Sequence, residues 1–179
     1  MQKSLLASLI LAPALLSPNA MANSGCGFEE NQSGPFATCD QPKHEEVILT
    51  GALEMENIMN AIPGYSENYE AYQPQQEWIS RIAEEKTATE IVVIIGTWCP
   101  DCHRETPRFA KLIDAASNSN IQVRYIGVDR QKSDPENLSK AYDFKRIPTF
   151  IVMQEGKEIG RIVESPKTTL EQDLANILN

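Results

Sequence analysis

Two cysteines spaced by two residues, Cys99 and Cys102, stand where an apolar run over residues 91–95 gives way to an amphipathic stretch over residues 105–116. In a helix begun at this point both thiols fall within one turn, close enough to join as a disulfide. The first thiol lies where unpaired backbone N–H groups and the helix dipole favour an anion, which lowers a cysteine pKa. Cys99 is therefore the expected nucleophile, and Cys102 the thiol that resolves a mixed disulfide. The expected chemistry is thiol–disulfide exchange, carried by the sulfurs themselves with no cofactor.

Such a pair has to be held by a sheet and its helices. Residues 91–95 are continuous, apolar and rich in β-branched side chains, as expected of a strand buried on both faces. Before it, Trp78, Ile79, Ile82 and Ala83 mark one face of a helix. After it, Phe109, Leu112, Ile113 and Ala116 give a helical stripe, with Pro107 marking a kink and the polar run 117–120 ending it. Ile121, Val123 and Tyr125 alternate with polar residues as a second strand. Asp134 and Pro135 suit the start of a helix carrying Leu138, Ala141 and Tyr142. Residues 150–153 and 158–163 form a hairpin through Glu155 and Gly156. Thr168 and Glu171 are expected to box the start of a last helix that buries Leu170, Leu174, Ile177 and Leu178. Nearer the N-terminus, residues 47–53 suit a short strand. Tyr65, Tyr69 and Tyr72 recur at helical spacing and read as core or covering surface rather than as a substrate-facing ledge.

A chain of 179 residues with a formal charge of −9 accommodates one full-sized domain and disfavours binding to nucleic acid or to an anionic membrane surface. Residues 1–22 carry Lys3, an apolar run over 5–16 broken by Pro13, and the small-residue pattern Ala20-Met21-Ala22. These are the features of a secretory signal peptide cleaved near Ala22, and they predict a periplasmic or otherwise exported protein. In an oxidising compartment the remaining cysteines, Cys26 and Cys39, suggest a structural disulfide. They lie in a segment rich in Gly, Pro, Asn and Ser, where closing a loop of this size contributes about 3 kcal/mol in the chain-entropy account. A second redox pair that relays electrons to the first is the alternative. The expected organisation is a signal peptide over 1–22, an N-terminal extension over 23–73, and an α/β domain over 74–179.

With the Trp98–Cys102 motif WCPDC at a strand-to-helix junction and Ile147-Pro148-Thr149 opening the hairpin, residues 74–179 resemble the thioredoxin superfamily. The resemblance implies a central mixed sheet flanked by helices. It also implies a cis peptide before Pro148, leaving the backbone of Ile147 free to pair with an extended substrate beside Cys99. Trp98 would shield the pair. Cytosolic thioredoxins carry a buried Asp six residues before the first cysteine, whereas this chain has Val93. Glu105 and Pro107 instead complete a CXXCXXEXP pattern like that of the exported reductases of the TlpA and ResA type. In that branch the glutamate supports proton transfer, taking the proton of Cys102 as it attacks.

Asp101 places a negative charge beside Cys99, which should oppose thiolate formation and favour a reductant over a disulfide-forming oxidant. His103 reads as a solvated helix residue rather than a group that tunes the thiols. The expected protein is a monomeric protein-disulfide reductase that depends on a membrane thiol-electron donor and binds no metal. An oxidant of the same fold, or a copper-delivery protein using the pair with His44 or His103, are the alternatives.

Overall fold

The computed structural model describes residues 46–179. In chain order these form β1 (Gly51–Leu53), α1 (Met55–Ala61), α2 (Tyr65–Ala71), α3 (Gln76–Ala83), β2 (Thr89–Ile95), α4 (Pro100–Ala116), β3 (Ile121–Gly127), β4 (Thr149–Gln154), β5 (Lys157–Val163) and α5 (Leu170–Leu178). The five strands make one mixed sheet in the order β1-β3-β2-β4-β5. Only β2 and β3 pair in parallel; the other neighbours are antiparallel.

The centre of the sheet is β2, and its composition explains the position. Ile91, Val92, Val93, Ile94 and Ile95 are all fully buried, so both faces of the strand are covered. Burial of each such side chain stabilises the fold by roughly 1.5–3 kcal/mol. Helix α4 lays Phe109, Leu112 and Ala116 on the sheet, and the rings of Phe109 and Phe150 meet with centroids 4.6 Å apart. Helix α2 packs on α4, and α3 on α5. Tyr65 is buried and stacks on Tyr69, with centroids 6.4 Å apart, so this part of the tyrosine stripe is covering surface. Residues 46–73 belong to the same compact unit as the rest of the described chain.

Proline at position 107 removes the N–H that would bond the carbonyl of His103 four residues earlier. The side-chain amide of Asn68 takes its place, donating to His103 O at 3.2 Å, and α4 continues to Ala116. The helix stops at Ser117, whose φ of +47° is left-handed and whose N–H returns to Ile113 O. The hairpin turn at Glu155 and Gly156 has φ of +51° and +73°, the two positive values a two-residue turn of this kind requires.

Three expectations need correction. No α-helix follows Asp134: its carboxylate accepts the N–H groups of Leu138 (2.8 Å) and Ser139 (2.9 Å), and left-handed Asn137 (φ +59°) interrupts propagation. Only a single 3₁₀ turn, Ser139–Ala141, forms. The cap of α5 is Thr169, whose hydroxyl accepts from Gln172 N–H, while Thr168 bonds Asp173 and Glu171 turns into the interior. The strand expected over 47–53 shrinks to β1 because Val47 and Leu49 give their backbone groups to the side chain of Thr97 instead.

Candidate active site

Cys99 is the N-cap of α4 and Pro100 opens its first turn, a position where the missing proline N–H costs nothing. Both thiols are free and buried: Cys99 is 7% exposed and Cys102 fully covered. Gly96, between β2 and the motif, touches both residues through its backbone. Its carbonyl accepts Cys99 N–H at 2.9 Å, and its N–H donates to Cys102 Sγ at 3.4 Å. A Cβ on Gly96 would stand 2.7 Å from Trp98 Nε1 and 2.8 Å from Ile147 Cδ1, so glycine is what permits this close approach. Sequence reasoning passed over Gly96, although a glycine directly after a fully apolar strand is a signal of close backbone approach.

The two sulfurs differ sharply. The neighbouring Cys102 thiol is the largest influence on Cys99, and it lowers it. With the N–H groups of Cys102 and Asp101 it outweighs burial, and the Cys99 thiol is lowered to about 6. The charge of Asp101 raises Cys99, as expected, but it is the smallest influence, and the N–H of the same residue works against it. Burial pushes the Cys102 thiol up, and the neighbouring Cys99 sulfur pushes the same way. One thiol is thereby set up as the anion and attacking group, and the other as the proton-bearing partner.

The other named residues gather around the pair to different degrees. The Ile147–Pro148 peptide is cis, and Cys99 Sγ lies 3.5 Å from Ile147 O. Trp98 donates from Nε1 to Val128 O at 3.0 Å, with the Arg130 guanidinium 5.0 Å from its ring centroid. Glu105 is buried, 3% exposed, but its carboxylate is engaged by Arg104 Nε at 2.6 Å and Arg108 at 3.6 Å, and it makes no hydrogen bond to either sulfur. Arg104 also bridges to Asp101 at 2.9 Å. Contrary to expectation, His103 is not a solvated helix residue. It is half-buried, with Nε2 2.6 Å from Thr97 O. A carbonyl can only accept, so Nε2 carries the proton.

Thr97 escaped the sequence reading as well: fully buried polar Oγ1 donates to Val47 O at 2.6 Å and accepts Leu49 N–H at 3.1 Å, fastening residues 47–49 to the active-site loop. Cys26, Cys39 and His44 lie outside the described residues. Among the described residues no three His, Cys, Asp or Glu side chains converge as metal ligands would.

A five-stranded mixed sheet with an asymmetric dithiol at the N-terminus of the helix after its central strand defines a thiol–disulfide oxidoreductase. A family model described as thioredoxin matches residues 54–175, and the chain belongs to the thioredoxin family. It is 27% identical over 107 residues to thioredoxin H9 of Arabidopsis thaliana, covering 59% of this chain and 72% of that protein. It is 32% identical over 97 residues to a putative thioredoxin-5 of Dictyostelium discoideum, covering 54% and 89%. Among solved structures it is similar to a protein of unknown function from Pseudomonas aeruginosa, at 21% identity and a TM-score of 0.46, covering 70% of this chain and 76% of that one.

Proposed function

We propose that this thioredoxin-family protein is an exported reductase of the TlpA and ResA type, acting as a monomer on disulfides of extracytoplasmic proteins. The asymmetry of the two sulfurs is the observation that carries the reading. Cys99, about 6, is largely thiolate at neutral pH and attacks a substrate disulfide laid along Ile147 and Pro148. Cys102 keeps its proton until the mixed disulfide has formed, then displaces the reduced substrate and closes the Cys99–Cys102 disulfide. Glu105, three residues on and so on the same helix face, is the acceptor we assign to the Cys102 proton in that step, a role that requires it to leave its pairing with Arg104. Trp98 covers the pair from the side of Val128.

The value of about 6 supports reduction over disulfide formation, because a strongly oxidising member of the fold holds its thiol near about 3.5 and a reducing one near about 7. Glu105 and Pro107, both buried in α4, support the exported branch, and the apolar, basic-flanked residues 1–22 support export. A reductant in an oxidising compartment has to be re-reduced from outside it, so the partner we assign is a membrane thiol-electron donor. An exported location also favours the Cys26–Cys39 disulfide expected within the extension over 23–73.

Equilibrating the cleaved protein with dithiol/disulfide buffers of defined ratio tests the direction. A reduction potential near about −270 mV supports the reductase; one near about −120 mV makes the protein an oxidant and overturns the reading.

A further inference from the structure

Away from the dithiol, a cavity of about 450 Å³ opens between α1, α2, the second half of α4 and β3. Its volume falls in the range of small-ligand sites. Ala110, the lining residue of α4 nearest the cysteines in sequence, is eight residues past Cys102, roughly 12 Å along the helix at 1.5 Å per residue. The redox site therefore does not account for it.

Most of the wall is apolar, with Met55, Met59, Ile113 and Val123 contributing. The polar groups within it are unusual. Tyr125 is 7% exposed and lines the cavity; its hydroxyl has no hydrogen-bond partner among the described residues and keeps its accessible surface on the cavity side. A hydroxyl so placed is left for water or a ligand in the cavity to satisfy. The hydroxyl of Tyr65 reaches only the thioether of Met55, a weak acceptor, at 2.9 Å. Asp114 accepts from Tyr69 Oη at 2.7 Å through Oδ2, leaving Oδ1 unoccupied among the described residues.

We propose that this cavity binds a small organic monocation, an arylalkyl amine, with its ammonium group between Asp114 and the Tyr125 hydroxyl and its apolar body against Met55 and Ile113.

Charge selects the cation. Two carboxylates, Asp114 and Glu70, line the cavity, and one lysine stands beside it, Lys111, 3.8 Å from Glu70 and 4.5 Å from the Tyr69 ring centroid. One negative charge is left over, which a single cation neutralises and an anion would double. An ammonium group brings three donors; the free oxygen of Asp114 and the phenol oxygens of Tyr125 and Tyr65 can accept them. The negative charge of Asp114 reaches all three phenols: it helps raise Tyr65, Tyr69 and Tyr125, Tyr69 to about 12 chiefly through their hydrogen bond.

Isothermal titration of the full chain with 4-phenylbutylamine, 4-phenylbutanol and 4-phenylbutyrate tests this. We expect the amine to saturate one site, the alcohol to bind at least tenfold more weakly, and the carboxylate not to bind. Asp114→Asn, which keeps an acceptor for Tyr69, should erase the preference for the amine, and Tyr125→Phe should weaken the amine severalfold. Should Asp114→Asn fail to fold, Ser66→Trp at the exposed rim of the cavity decides: loss of amine binding supports the site and retention refutes it. Failure of the amine to saturate, equal binding of amine and alcohol, or a preference surviving in Asp114→Asn overturns the proposal. The rate of Cys99 alkylation, measured alongside, should not change in any of these variants, which separates this site from the thiol chemistry.

Discussion

The two ends of α4 are built on opposite plans. At its N-terminus the chain is crowded, and backbone dipoles point at sulfur: Gly96 N–H meets Cys102, the amides of Cys102 and Asp101 act on Cys99, and no room exists for even a methyl on Gly96. Toward its C-terminus the same helix borders open space, and a buried phenol on the facing strand has no protein partner. A reactive group gains from fixed, close dipoles, because nothing has to reorganise as charge develops. A site awaiting a ligand gains from polar groups left unsatisfied. Substitutions at each end should therefore differ in kind.

The largest effect falls on the sulfurs. Since the Cys102 thiol is the main influence lowering Cys99, Cys102→Ala should return Cys99 toward the ordinary thiol range, about 8.5. Alkylation by iodoacetamide should be half-maximal near pH 6 in the native protein, and at that pH about two orders of magnitude slower in the variant. The variant should also accumulate covalent mixed disulfides with substrate. A thiol depressed on folding contributes stability that is present above its unfolded pKa and lost as pH falls through about 6. The reduced protein should thus lose stability relative to Cys99→Ser between pH 8 and pH 5. An unchanged alkylation profile in Cys102→Ala would remove the basis for the asymmetry.

Next in size is crowding itself. Gly96→Ala forces a Cβ against Trp98 and Ile147 and should cost about 1–3 kcal/mol in denaturant unfolding, with slower Cys99 alkylation as Trp98 shifts from Val128. The matched change at the other end, Val123→Ile, adds a methyl beside the cavity and should cost under about 1 kcal/mol. Equal costs would erase the contrast in packing.

That contrast also marks what the sequence could convey. The strand over 91–95, the stripe of α4 and the hairpin at Glu155-Gly156 were legible because burial and turn geometry leave a periodic or local trace. The motif named Cys99 and Cys102 for the same reason. Gly96 and Thr97 were not legible as site residues, because their roles are backbone and hydroxyl contacts to chain far away, such as Thr97 to Val47 and Leu49. The helix expected after Asp134 failed on one left-handed residue, Asn137, which helical spacing cannot reveal. Glu105 was found by its pattern, but its pairing with Arg104 and Arg108 depends on side-chain directions. The cavity by Tyr125 had no signal at all, since an alternating strand residue reads as core whether or not its hydroxyl has a partner.

The next contrast separates two phenols, half-buried Tyr72 and buried Tyr125. Tyr72 Oη donates to Glu171, whose carboxylate is 2% exposed and also accepts Gln75 N–H. Burial pushes Glu171 up, but these bonds prevail and hold it below the usual carboxylate range. Tyr72→Phe takes a donor from this buried carboxylate and should cost about 1–3 kcal/mol at pH 7. The stability that Glu171 contributes is present above its unfolded pKa and fades as pH falls through its lower folded value, so the gap between Tyr72→Phe and the native protein should narrow in acid.

Tyr125→Phe should have the smallest effect on stability. Tyr125 is as well buried as Tyr72 or better, and an account based on burial alone would assign the two hydroxyls similar weight. The difference lies in the partner. Removing the Tyr125 hydroxyl, which is open to the cavity, breaks no bond among the described residues, so unfolding should change by no more than about 0.5 kcal/mol. Phenylalanine keeps the ring and its packing on β3, so no new space opens. A loss of 1 kcal/mol or more in denaturant unfolding would mean that the hydroxyl is already satisfied within the folded chain, and the two ends of α4 would then differ only in how tightly they are packed.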